Sequence, residues 1–185
     1  MAVFCWQTLL LAAALRPISG RRTPCKQDHF PSKGLRITQK RPEWRTQEEV
    51  KQLRRILLVL PSYHRYSFNL QLMLAKVIRF ERFGRRRVVL RLGHRGNSFY
   101  FIYSGSVAIT KDKDGGSAFI DSEPIILRKG VAFGEVALMK GSRRNATVVC
   151  MEDTELLAVD KEDFFANKLD VEQAKELKYR YDFFR

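Results

Sequence analysis

Acidic residues are scarce in the first half of this 185-residue chain. Residues 1–96 hold 21 Lys and Arg against 5 Asp and Glu, whereas residues 97–185 hold 13 against 15. The overall charge of +14 is therefore carried by one half, which suggests an anionic partner such as nucleic acid, an acidic protein or a membrane surface, with a solvated basic face as the plain alternative. Cysteine is also sparse. Cys5, Cys25 and Cys150 form no Cys-x-x-Cys pair and stand near no histidine at ligand spacing, which argues against a zinc site. An odd count of three fits a reducing compartment better than a disulfide framework. The three histidines, His29, His64 and His94, are scattered. No nucleophile motif and no paired acids of a hydrolase accompany them, so nothing points to an enzyme. No internal repeat is visible, and no apolar run reaches the roughly 20 residues of a membrane span.

What is present begins with an apolar leader from Ala2 to Leu15, broken by Gln7 and Thr8 and followed by Ser19-Gly20. Such a leader, if cleaved, makes the protein secreted. An apolar leader without a targeting role leaves it cytoplasmic. The glycosylation sequon Asn145-Ala146-Thr147 falls inside the most function-like motif of the chain, and this favours the cytoplasm. Residues 16–45 are rich in Arg, Lys and Pro without a period and read as a basic mobile arm. Thr46 and Glu49 have capping-box spacing. Val50, Leu53, Ile56, Leu57 and Leu60 follow at helical spacing until Pro61, where the run is expected to stop. A second helix is predicted over 68–78.

The period then changes. Val88–Leu92, Phe99–Tyr103, Val107–Thr110, Phe119–Ile120, Ile125–Leu127, Thr147–Cys150 and Glu155–Val159 are rich in β-branched and aromatic residues and are separated by glycine or charged turns. Many short strands of this kind predict a mainly β domain with flanking helices, an antiparallel β-roll or jelly roll. Asp160 reads as an N-cap for a helix over 161–167, and Val171 to Phe184 as a further helix. The expected organisation is a leader and arm over 1–45, a binding domain over 46–168, and a C-terminal helix over 169–185 that forms an incomplete lid.

The stretch Phe133 to Thr147, FGEVALMKGSRRNAT, carries the chemistry. Gly134 lets bare backbone N–H groups approach a ligand. If Glu135–Met139 makes a short helical turn, its first amides are unspent and carry partial positive charge. Arg144 can add a planar, permanently charged fork suited to phosphate oxygens. Glu135, ionised, only accepts hydrogen bonds, so it suits a sugar hydroxyl and not a phosphate. A ribose with its phosphate attached satisfies both residues. A hairpin with a surface Glu–Arg ion pair is the plain structural alternative.

The wider pattern resembles the cyclic nucleotide-binding domain family. Its phosphate-binding cassette stands here as Phe133-Gly134-Glu135-Val136-Ala137-Leu138, a five-residue loop, and Arg144-Asn145-Ala146-Thr147. Upstream, Gly93-His94-Arg95-Gly96 and the aromatic strand to Gly105 resemble the family's second segment. The resemblance covers about residues 50–168. It implies a non-catalytic receptor: Glu135 on the ribose 2′-hydroxyl, Arg144 on the cyclic phosphate, and backbone of Gly134, Val136, Ala137, Asn145 and Ala146 completing the cradle. It implies that C-terminal helices relay binding by moving over the base, with Tyr179, Tyr181 and Phe183 as candidate caps. The ligand is expected to be cAMP, favoured over cGMP, with no other cofactor and no metal, and the downstream partner is unknown. Val88, Leu90, Phe101, Val136, Leu138 and Val148 are expected to be wall or core.

Four departures stand out: Asn145 where Ala, Ser or Thr is usual, Arg86 in place of a turn glycine, Leu92 where an acidic or amide residue is common, and His94 in place of a polar turn residue. The competing reading is a basic interaction module. Arg79, Arg82, Arg85, Arg86, Arg87, Arg91 and Arg95, interleaved with Phe80 and Phe83, could contact nucleic acid or an acidic partner beside a degenerate nucleotide pocket.

Overall fold

The computed structural model describes residues 29–121 and 124–166. Helices come first: α1 (Ser32–Thr38), α2 (Gln47–Leu57), the single turn α3 (Pro61–His64) and α4 (Phe68–Val77). Eight strands follow: β1 (Arg79–Phe83), β2 (Val88–Leu90), β3 (Ser98–Ser104), β4 (Ser106–Thr110), β5 (Ile125–Arg128), β6 (Ala132–Phe133), β7 (Thr147–Cys150) and β8 (Thr154–Asp160). The short helix α5 (Glu135–Met139) interrupts them, and α6 (Lys161–Ala166) closes the described chain. All pairings are antiparallel, in two four-stranded sheets of order β1-β8-β3-β6 and β2-β7-β4-β5. This is the expected β-roll with helices at both ends.

The alternation of a strand places successive side chains on opposite faces, and β3 and β8 use both faces. Tyr100, Ile102, Leu156 and Ala158 pack against Leu90, Val107, Val148 and Cys150 of the second sheet. Phe99, Phe101, Tyr103, Leu157 and Val159 pack against the helices, with Leu53, Leu57, Leu60, Tyr63 and Leu74. A sheet covered on both sides reads as an unbroken apolar run, as Phe99–Tyr103 and Leu156–Val159 do.

At the start of α2 both halves of the capping box are made. Glu49 N donates to Thr46 Oγ1 at 3.2 Å, and Thr46 N to Glu49 Oε2 at 3.0 Å. Helix α2 ends at Leu57, before Pro61, and Pro61 opens α3 instead of merely stopping the run. Proline is suited to that first position, where its missing N–H would have no partner.

Residues 29–45, assigned from sequence to a mobile arm, are ordered by tertiary contacts. Phe30 stacks on Phe80 with ring centroids 5.1 Å apart and meets Tyr103 edge-on at 4.9 Å. Its amide donates to Glu155 Oε2 at 2.7 Å, and His29 Nδ1 lies 3.0 Å from Oε1. Buried Arg45 donates to the carbonyls of Thr38, Lys40, Ala75 and Lys76. These lie at the C-terminal ends of α1 and α4, where carbonyls lack helical partners and a cation is favoured.

One expected strand is corrected, and two strands appear that the sequence pattern did not predict. Phe119–Ile120 is not a strand: Gly116–Phe119 is a 3₁₀ turn, and Ile120 is exposed. Strand β1, Arg-Phe-Glu-Arg-Phe, went unseen because charged residues mask its pattern, and its pairing with β8 settles its conformation. Strand β6 has only two residues, too few for a periodic signal. The expected helix beyond Ala166, with Tyr179, Tyr181 and Phe183, lies outside the described residues.

Candidate ligand-binding site

The cassette is built by one short strand and one tight turn. Pairing of Tyr100 with Phe133 and of Phe101 with Ala132 delivers the chain to Gly134, whose φ is 93°. That conformation favours glycine, and a Cβ there would also come within 3.0 Å of Arg144 Nη1. Glu135–Met139 then turns once as α5, as expected. The loop returns through Arg143 and Arg144 to β7, where Thr147 pairs with Thr110 of β4.

The two sequence motifs are locked together by main chain. Arg144 N donates to His94 O at 2.7 Å, and Gly93 N donates back to Arg144 O at 2.8 Å. Arg143 donates from Nη1 to Gly93 O at 2.9 Å, and Arg95 and Arg143 form an isolated bridge. Arg143 itself is exposed. Gly96 is the point of closest approach: a Cβ there would sit 2.9 Å from Ala137 Cβ and 3.3 Å from Arg144 Cζ.

Arg144 is 5% exposed. Its Nη1 donates to Gly134 O at 2.5 Å and its Nη2 to Ser98 O. Its Nε is buried and makes no hydrogen bond. A guanidinium has five N–H donors, so the fork is aimed by two carbonyls with donors to spare. Burial lowers the Arg144 pKa from its usual value, while the charges of Tyr100 and Glu135 act in the opposite sense. Glu135 is half-buried, and its charge acts on Arg144 in the direction that favours the guanidinium cation. Of the other predicted residues, Ala137 and Ala146 are buried, Gly134 and Val136 half-buried, and Asn145 exposed. Leu90, Phe101, Leu138 and Val148 are core, and Val88 and Val136 are partly covered.

Two hollows flank the returning arm of the cassette. The larger, about 480 Å³, is lined by Ile109, Thr110, Lys111, Asp112, Ser117, Asp121, Pro124, Ile125 and the cassette's Ala146. The smaller, about 160 Å³, reaches Arg144 from the side of Val89, Leu90, Arg91, His94 and Tyr100. Small-molecule pockets measure roughly 300–1,000 Å³, so only the larger suits a nucleoside. Glu135 lines neither.

Residues 80–167 match the family model of the Cyclic nucleotide-binding domain. The chain carries a cyclic nucleotide-binding domain. It is 33% identical over 135 residues to human Rap guanine nucleotide exchange factor 3, covering 72% of this chain and 14% of that protein. It is 36% identical over 74 residues to the Cyclic AMP receptor protein of Thermus thermophilus, covering 40% of this chain and 33% of the other. The regulatory domain of Toxoplasma gondii PKA, solved with cAMP, shares the fold with a TM-score of 0.56 and 22% identity over 70% of this chain and 49% of that one. The chain thus spans only a fraction of the relatives it matches.

The domain's cavity holds residues that sequence reading did not single out. Thr110, Lys111, Asp112, Ser117 and Asp121 stand in or beside a segment read as an inter-strand turn, and only folding brings them to Ala146. The basic stretch is partly compensated. Arg79 pairs with Asp160 at 2.7 Å and Glu81 at 3.3 Å, and Arg91 lies 3.7 Å from Asp114. The Arg86 guanidinium lies 5.0 Å from the centroid of Phe119. Among the described residues no helix is long and apolar enough to cross a membrane, and no cluster of His, Cys, Asp or Glu could hold a metal.

Proposed function

We propose that this domain is a non-catalytic receptor that binds a cyclic nucleotide and relays its binding through the C-terminal segment. The observation that carries the reading is Arg144: buried, aimed by the Gly134 and Ser98 carbonyls, with Nε–H unspent, inside the family-matched segment. In this reading the cyclic phosphate meets Arg144 and the backbone of Gly134, Val136, Ala137, Asn145 and Ala146. Glu135 accepts from the ribose 2′-hydroxyl, and the base extends into the 480 Å³ cavity beyond Ala146. Tyr179, Tyr181 and Phe183 are the candidate caps on the base. The ligand we favour is cAMP over cGMP, acting in the cytoplasm without a further cofactor.

Calorimetric titration with cAMP and cGMP at two salt concentrations tests this. A ligand of single charge seated in a pocket should bind with little dependence on salt, whereas a polyanion on the arginines of 79–95 would lose affinity steeply. Glu135→Ala should cost about 1.5–3 kcal/mol, the range for hydrogen bonds to charged groups. A 2′-deoxy analogue should bind the parent less tightly but lose no further affinity in Glu135→Ala. Absence of binding by the parent would refute the reading.

A further inference from the structure

The arginines between β1 and β2 take no part in the cassette. Arg85, Arg86 and Arg87 are consecutive and exposed, in a turn that joins the outermost strands of the two sheets. The turn is fixed to the far end of β7: Arg86 N donates to Cys150 O at 2.8 Å, and Cys150 N to Arg87 O at 2.9 Å. Arg144 precedes the other end of that strand, so the two cationic places are separated by the length of β7. Among the described residues, none of the three guanidiniums forms an ion pair, nor does that of exposed Arg82 on β1. The carboxylate of Asp153 accepts from the Arg85 amide instead, at 3.1 Å. Glu155, opposite Arg82 in the ladder, accepts from the Phe30 amide and has His29 on its other oxygen. The Arg85 and Arg86 guanidiniums lie 6.0 and 5.0 Å from the centroid of the Phe119 ring. A ring steadies a guanidinium without consuming its N–H donors. Arg86 also holds φ at 67°, which carries a stability cost that a glycine would not. Guarding sheet edges against pairing calls for charge on the strands themselves, whereas these three stand in the turn.

Guanidinium forks match the paired oxygens of phosphate, and three in a row match a repeated phosphate rather than one small ion. A bilayer approaching this turn would meet Ile120, 85% exposed beside Phe119, together with the exposed carboxylate of Asp121, and anionic headgroups oppose that carboxylate. We propose that the Arg85–Arg87 turn, flanked by Arg82, is a docking surface for the phosphodiester backbone of nucleic acid, separate from the cyclic nucleotide site. Phe119 is half-buried beneath the two guanidiniums and offers no open face for base stacking. The contact is therefore electrostatic and indifferent to sequence.

The test is fluorescence anisotropy of the full chain with fluorescein-labelled oligouridine and duplex DNA, each about 20 units long, beyond the roughly 4–16 nucleotides of a single-strand site. Each phosphate contact on a single strand contributes about 0.7 to the fall of log affinity with log salt. Three contacts weaken binding about 20-fold between roughly 50 and 200 mM salt, and the parent should lose at least that. Replacing Arg85, Arg86 and Arg87 together by Ser should take about 2 off the slope. Replacing exposed Arg36, Arg55 and Arg65 by Ser removes the same charge from the helical side and should leave the slope within about 0.5 of the parent's. Arg86→Gly suits the positive φ, so it should melt close to the parent yet bind several-fold less tightly, and it decides the matter if the triple variant does not fold. Equal losses from the two triple variants, binding that ignores salt, or no binding by the parent overturns the proposal. So does displacement of the oligonucleotide by polyglutamate or phosphatidylserine vesicles at a lower concentration of charge than by unlabelled oligouridine, which would make the turn an acidic-protein or membrane surface. The receptor reading stands or falls separately, on titration with cAMP.

Discussion

Replacing Arg144 with Ala should produce two separable losses. The first is structural. Its guanidinium donates to Gly134 O and Ser98 O, and the residue is 5% exposed. Deleting it leaves both carbonyls without their charged donors, at about 1.5–3 kcal/mol for each bond. Relief from burying a cation, the cause of its lowered pKa, offsets part of this. A net loss of about 2–4 kcal/mol is expected, a fall in Tm of about 5–15 °C for a chain of this size. The second loss is functional. Removing one partner of a buried charge pair costs about 3–5 kcal/mol, roughly 10²- to 10⁴-fold in affinity for the cyclic nucleotide. Arg144→Lys keeps the charge but cannot span both carbonyls and a phosphate with one ammonium head, so it should recover part of the affinity and little of the Tm. Thermal melts and titration calorimetry on the same preparations read the two losses apart. An Arg144→Ala protein with the parental Tm and parental affinity would refute the assignment of the guanidinium to both tasks.

Two further predictions concern the scaffold. Burial raises the Glu81 pKa above its usual 4.5, with Arg79 opposing and Asp160 reinforcing the shift. The folded chain therefore holds that proton more tightly than the unfolded chain. Its stabilising contribution is full below pH 4.5 and is lost as pH rises through the raised value. Glu81→Gln should thus melt higher than the parent at pH 7 and converge with it toward pH 4, and a difference that grows on acidification would contradict this. Arg45 is buried and its pKa is pushed down to about 10, chiefly by desolvation. Arg45→Met should destabilise by about 2–4 kcal/mol in denaturant titration, because the carbonyls at the ends of α1 and α4 lose their donor. A change below about 0.5 kcal/mol would mean that water replaces the guanidinium at no cost.

Much of the roll was legible because its signals are local. The capping box at Thr46 and Glu49, the apolar spacing of α2 and the β-branched runs of β4, β7 and β8 each declare themselves within a few residues. The elements that were missed owe their form to distant partners. Helix α1 is held by Phe30 on Phe80 and by Arg45 reaching to Ala75 and Lys76, contacts that span 30 residues or more. The 480 Å³ hollow was invisible for the same reason: Thr110, Asp112 and Ser117 read as strand end and turn until β4 pairs with β7 and sets them beside Ala146.

The departures from the family pattern in the first turn have a physical resolution. Leu92, Gly93 and His94 all bind the cassette, yet each does so through its main chain: Leu92 N donates to Thr147 Oγ1 at 3.1 Å, Gly93 N to Arg144 O, and His94 O accepts from Arg144 N. Side chains at 92 and 94 are therefore free to vary without moving the arginine. Arg86 shows the opposite case. It stands where the family has a turn glycine and keeps that glycine's conformation, with φ at 67°, the one non-glycine residue with positive φ among those described. A left-handed arginine costs about 1–2 kcal/mol, and the Arg86 N to Cys150 O bond at 2.8 Å, with the ring of Phe119 beneath the guanidinium, offsets it. The turn geometry is thus set by its pairing to β7, and it holds although the residue best suited to it is gone. The same main-chain lattice carries Arg144 to its place, since its N and O are both bonded to the backbone of the first turn whatever side chains stand at 92 and 94.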